Sequence, residues 1–141
     1  MAQKSLKIKK FLRREPIFFA IIFLVIGMKI FEKIKNLFKD NSRVKVPTIL
    51  QMEATECGAA SLSMVLANFG LWLPLEKLRQ ECGVNRDGSK ASCIIIAAQR
   101  LGCTAKGYRL NADDLKENDK FPLIIHWKFN HFLVLEGISG D

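Results

Sequence analysis

A glutamine and a cysteine six residues apart, Gln51 and Cys57, and a distant histidine, His131, are the side chains whose types and spacing suit covalent chemistry. A cysteine thiolate attacks carbonyl carbon, an imidazole takes the thiol's proton and later returns it, and a glutamine amide donates to the oxyanion that forms. Residues 51–60 read QMEATECGAA, so Cys57 stands where a run of helix formers begins. Taken alone, Cys57 also fits a small buried core residue, the usual fate of a free cysteine. His131, remote in sequence, favours instead a nucleophile and base brought together by the fold. His126 is the competing base, and its place between Ile125 and Trp127 suits a packed structural role.

The elements that must position these groups are legible. Residues 58–69 (GAASLSMVLANF) carry Leu62, Val65, Leu66 and Phe69 on one helical face and are stopped by Gly70, which puts Cys57 at a helix N-terminus. Unpaired N–H groups and the positive end of the helix dipole favour a thiolate there and can hold an oxyanion. Residues 121–136 (FPLIIHWKFNHFLVLE) form two apolar, aromatic-rich runs parted by Asn130, which predicts two antiparallel strands with a tight connection. Alternation puts His131, Leu133 and Leu135 on one face and Phe132, Val134 and Glu136 on the other, with the imidazole at the strand's start. Between these anchors the pattern predicts a helix over 74–82, with Pro74 at its first position and Gly83 closing it. A polar turn follows at 85–89, then a helix over 93–101 capped by Ser92, its Ile94-Ile95-Ile96 run expected in the core. A strand over 104–110 and a short acidic helical turn over 112–117, capped by Asn111, complete an α+β order with one core in residues 43–141.

These residues carry a family likeness. Gln51 with Cys57-Gly58-Ala59-Ala60, then Asp87-Gly88-Ser89, Pro122-Leu123-Ile124-Ile125 and His131-Phe132-Leu133-Val134-Leu135-Glu136-Gly137 resemble the N-terminal peptidase domain of bacteriocin-processing ABC transporters, from about Val44 onward. The resemblance implies a papain-like cysteine peptidase fold, with N-terminal helices packed on an antiparallel sheet. It implies cleavage of leader peptides after a double glycine, Gly-Gly or Gly-Ala, before export of the cargo. Cys57 would be the nucleophile, His131 the general base and then acid, and Gln51 the oxyanion donor. The family's third catalytic residue, an Asp before Pro roughly sixteen residues beyond the histidine, orients the imidazole. This chain ends at Ser139-Gly140-Asp141, ten residues past His131, and is expected to be a domain truncated at its C-terminus.

Residues 1–42 differ in character from the rest. They hold ten Lys and Arg against three acidic residues, a net of +7, whereas residues 43–141 hold twelve against eleven, a net of +1. Residues 17–28 (IFFAIIFLVIGM) are continuously apolar behind a basic stretch, shorter than the ~20 residues of a full transmembrane helix. A short membrane anchor is the preferred expectation, with a signal-peptide core or an interfacial helix as alternatives. Residues 29–38 (KIFEKIKNLF) place apolar side chains along one side and lysines elsewhere, suited to an anionic membrane surface or to packing on the domain. The resembled family lacks such an arm. The lysines flank an apolar segment without interleaved stacking aromatics, so lipid is the expected partner and nucleic acid is not.

Cys57, Cys82, Cys93 and Cys103 lack zinc-site spacing, and three of them read as plain thiols in a reducing compartment. No phosphate-binding loop is present in the sequence. No cofactor is expected in this chain, and ATP enters only through a further domain or partner. The leading expectation is a membrane-associated cysteine endopeptidase on the cytoplasmic side, partnered by the leader peptide and by the transporter's membrane and nucleotide-binding domains. The alternative is a catalytically weak peptidase-like module that binds a leader or substrate for a transporter. Trp72, Leu73 and Leu75 are candidates for a leader groove, with core packing the favoured reading of each.

Overall fold

The computed structural model of the chain describes residues 18–24, 43–116 and 120–138. Residues 17 and 25–28 of the apolar segment, the amphipathic stretch 29–38 and the Ser139-Gly140-Asp141 end lie outside the described residues. Strand β1 spans Phe18–Leu24. A 3-10 turn at Ala54–Glu56 leads into helix α1, Cys57–Asn68. Helices α2 (Leu75–Glu81) and α3 (Ala91–Arg100) follow, then β2 (Thr104–Leu110), the short α4 (Ala112–Lys116), β3 (Leu123–Trp127) and β4 (His131–Leu135).

The four strands form one antiparallel sheet in the order β2-β1-β3-β4. Period-two alternation gives the sheet two apolar faces. Ile124, Phe132 and Val134 point into a cluster with Leu62, Leu66, Leu78 and Ile94 from the three helices. Leu123, Ile125, Leu133 and Leu135 point the other way and pack with Leu115 of α4. Helix α1 is buried along nearly its whole length, as its Ala- and Leu-rich sequence allows. Each fully buried Val, Leu or Met side chain contributes about 1.5–3 kcal/mol relative to exposure, and α1 supplies Leu62, Met64, Val65 and Leu66.

The entry to the domain is tied to the end of β4 by a buried carboxylate. Glu136 is 3% exposed; its Oε2 accepts from Arg43 Nε and Nη2 at 3.1 and 2.9 Å, and its Oε1 accepts from the Val46 backbone N–H at 2.8 Å. The Val44 N–H donates to the Glu136 carbonyl at 2.9 Å, so side chain and backbone fasten the same junction.

The structure departs from the sequence-based expectations at several points. Within the apolar segment expected as a membrane anchor, Phe18–Leu24 is a β-strand, paired on both sides, with Phe18 opposite Leu110 and Phe19 opposite both Arg109 and His126. Its run of aromatic and β-branched residues suits a strand flanked on both sides, and it carries the sheet across the boundary expected at residue 42. Among the described residues no helix is long and apolar enough to cross a membrane. Helix α3 begins at Ala91 with Lys90 as its N-cap, so Ser92 is an exposed residue of the first turn and caps nothing. The Lys90 carbonyl already accepts from Cys93 and Ile94. Of the isoleucine run only Ile94 is fully buried, and Ile96 is 46% exposed, because successive helical residues rotate by about 100° and cannot share one face. Pro74 is the N-cap of α2 rather than its first residue. Leu73 and Leu75 pack against the core, but Trp72 is 66% exposed.

Candidate active site

Cys57 is the first residue of α1 and is 7% exposed. Gly58 beside it sits so tightly that a Cβ there would lie 2.8 Å from Ile94 Cδ1, 3.2 Å from Ser89 Cβ and 3.3 Å from Phe132 Cδ2. The last of these contacts seats the start of α1 on the start of β4, one residue from Cys57 and one residue from His131. The Asp87-Gly88-Ser89 turn closes over the same spot. Its backbone is shaped by an Asn85 side chain accepting from the Asp87 N–H at 2.9 Å, and a Cβ on Gly88 would meet the Thr55 carbonyl at 3.4 Å. Glycine at 58 therefore lets the start of α1 approach Ile94 of α3, the 87–89 turn and the start of β4.

Gln51 is buried, 6% exposed, and its Nε2 donates to the Glu53 carbonyl at 3.1 Å, which orients the amide within the loop that ends at Cys57. His131 opens β4 and faces Trp127 in the register. The turn before it runs through Lys128 and Phe129, both left-handed (φ 48° and 53°), and is closed by the Asn130 N–H donating to the Trp127 carbonyl at 3.0 Å. Non-glycine residues in that region are costly and collect where geometry serves function. By alternation His131 shares its side of β4 with Leu133, and His126 shares the α1 side with Phe132. His131 is nevertheless a strand's first residue, at the rim of the sheet. His126 stacks on the Phe132 ring (centroids 4.2 Å apart, planes at 8°) and meets the Phe129 ring edge-on at 5.7 Å. Burial holds His131 below the ordinary histidine value, and His126 is lowered by burial and then by His131 nearby.

Sequence reasoning missed Glu56 and Arg79. Glu56 has 0% exposure, and its Oε2 accepts from the backbone N–H groups of Met52 (2.7 Å) and Glu53 (3.1 Å). Arg79 Nε of α2 lies 3.1 Å from Glu56 Oε1, an ion pair without hydrogen-bond alignment. The same guanidinium also approaches Glu76 at 3.3 Å and Glu53 at 3.8 Å. The available signal was the Glu53-x-x-Glu56 spacing ahead of the helix, a capping-box pattern, which is present. All four thiols are free; Cys57, Cys82 and Cys103 are buried. Burial pushes the Cys103 thiol up, and burial with Cys93 and Glu81 nearby pushes Cys82 up to about 12, so neither serves as a thiolate near neutrality.

The Peptidase C39 family matches residues 45–141. The chain is 35% identical over 111 residues to the probable microcin-H47 secretion/processing ATP-binding protein MchF of Escherichia coli, covering 79% of the chain and 16% of that protein. It is 30% identical over 98 residues to the lactococcin-G-processing and transport ATP-binding protein LagD of Lactococcus lactis subsp. lactis, covering 66% of the chain and 14% of that protein. Among solved structures, a double glycine motif protease from an AMS/PCAT transporter, in complex with the leader peptide, superposes with a TM-score of 0.68 at 57% identity, covering 70% of this chain and 71% of that one. The peptidase domain of Streptococcus ComA superposes with a TM-score of 0.61 at 24% identity, over 69% of this chain and 73% of that one, a likeness of fold. The helices on an antiparallel sheet are thus those of a papain-like peptidase domain, and the chain belongs to the Peptidase C39 family.

Proposed function

We propose that this chain is a cysteine endopeptidase that cuts leader peptides after a double glycine, Gly-Gly or Gly-Ala, in step with export by an ABC transporter. The observation that carries this reading is the seating of the Cys57–Gly58 helix start against the His131–Phe132 strand start, with Gln51 in the loop that enters the helix. In this reading Cys57 Sγ attacks the carbonyl carbon of the second glycine while His131 takes the thiol proton. The carbonyl oxygen becomes an oxyanion held by the Gln51 amide and the N–H groups at the start of α1. Collapse expels the new amine, protonated by His131, and water then hydrolyses the thioester. The low exposure of Cys57 supports selectivity for residues without side chains, since any bulk beside the cut would clash on entry.

The partners in this reading are the leader peptide and a transporter's membrane and nucleotide-binding domains, with the peptidase on the cytoplasmic face of the membrane. The +7 charge of residues 1–42 supports contact with anionic lipid. The test is mass spectrometry of a synthetic leader ending in Gly-Gly plus cargo residues. Cleavage after the second glycine is expected, abolished in Cys57→Ala and in His131→Ala and retained in His126→Ala. Binding of the leader without cleavage would replace this reading with that of a binding module.

A further inference from the structure

A carboxylate with 0% exposure directly before the nucleophile needs a reason, because burying an ion is expensive unless every bond around it is made. A serine or aspartate would cap the turn at lower cost. Glu56 does more than cap: its Oε2 gathers the N–H groups of Met52 and Glu53, and its Oε1 faces Arg79 from α2. Glu53, the residue held through its N–H, is also the one whose carbonyl accepts from the Gln51 amide at 3.1 Å. A continuous path of polar contacts thus runs from Arg79 through Glu56 and the backbone of residue 53 to the side chain of Gln51.

We propose that Glu56, clamped by Arg79, is a positioning residue that fixes the Gln51 amide where the oxyanion develops. This rests on the peptidase reading above. Oxyanion donors act through preorganisation, and a donor on a loop keeps its aim only if the loop is held by a rigid support. Helix α2 provides that support, packed on α1 through Leu78, which is fully buried. The Arg79 charge also offsets the negative charge that Glu56 places one residue from Cys57.

The test separates positioning from mere stability. Wild type, Glu56→Gln, Glu56→Ala, Gln51→Ala and the double Gln51→Ala/Glu56→Ala are compared in turnover of a Gly-Gly leader substrate. Affinity for the same leader ending in a glycyl aldehyde is measured alongside; its carbonyl carbon bonds to Cys57 Sγ and its oxygen occupies the oxyanion position. Alkylation of Cys57 by iodoacetamide, which forms no oxyanion, is the control. Glu56→Ala is expected to lower kcat about 100-fold and to weaken the aldehyde by a similar factor. KM and the alkylation rate are expected to stay within about threefold of wild type. The double variant is expected to be no slower than Gln51→Ala alone, since both changes remove one function. Parallel losses in alkylation and turnover, or additive losses in the double, would overturn the proposal. Should Glu56→Ala fail to fold, Glu56→Gln and Arg79→Ala carry the same comparison. A wild type that neither cuts nor binds the aldehyde through Cys57 would overturn the peptidase reading, and the proposal with it; an active wild type with an additive double overturns the proposal alone.

Discussion

The side chains that carry the proposed chemistry were legible by type and spacing, whereas those that hold them were not. Gln51, Cys57 and His131 stand out in combination, a thiol at a helix start with an amide upstream and a distant imidazole, and as parts of the family likeness. Nothing in the sequence marked Glu56 or Glu136 as a buried ion-pair partner, since only the fold brings Arg79 and Arg43 to them. Their burial makes them sensitive. Glu136→Ala is expected to destabilise the domain by about 3 kcal/mol in urea unfolding, by stripping three hydrogen bonds from the Arg43–Val46 junction. Arg43 is half exposed, and Arg43→Ala is expected to cost about 1 kcal/mol or less. The two histidines set a pH dependence. Both are held below the ordinary value of 6.5 by burial, so the unfolded chain takes up protons first as the pH falls. Their contribution to stability is complete above 6.5 and declines below it toward the folded values, and melting temperatures are expected to drop between pH 7 and pH 5. A His126→Phe/His131→Phe double variant is expected to flatten that decline, and an unchanged slope would remove these residues as its cause.

At the level of elements, helix α1 and the β3–β4 pair followed from their apolar patterns, because their packing partners reward the pattern the sequence shows, whereas β2 was placed with little apolar pattern and buries only Ala105 fully. Helix α3 followed only in outline. Three consecutive isoleucines read as core, but helical rotation buries Ile94 and exposes Ile96, and the start lies at Lys90 because its carbonyl makes the first bonds. The Lys128–Phe129 turn was legible as a turn but not as a left-handed one, since neither residue is a glycine or asparagine. The junction of α1 with β4 is the element contact that matters most. Gly58→Ala is expected to cost about 1–3 kcal/mol, because Ile94, Ser89 and Phe132 must all give way to one methyl group. Turnover is expected to fall more than stability does, as the helix start withdraws from His131. Equal activity in a fully folded Gly58→Ala would show that this close approach is not needed.

The described residues form an α+β peptidase domain whose sheet includes a strand from far upstream. Strand β1 lies between β2 and β3, and the apolar run that supplies it was read as a membrane segment because continuous hydrophobicity alone does not separate a doubly flanked strand from a buried helix. Removing residues 1–24 is expected to expose the facing edges of β2 and β3, raising amide hydrogen exchange at 104–110 and 123–126 and promoting self-association. Unchanged protection there would show that the sheet does not depend on β1. The chemistry proposed for the molecule depends on one thiol among four, and the most direct measurement labels it by mechanism. A leader peptide ending in a Gly-Gly chloromethyl ketone, reacted with the intact chain and mapped by mass spectrometry, is predicted to modify Cys57 alone and to leave half-buried Cys93 untouched, with no labelling in Cys57→Ala. Labelling spread over Cys93, or undiminished in Cys57→Ala, would contradict the assignment of Cys57 as the nucleophile.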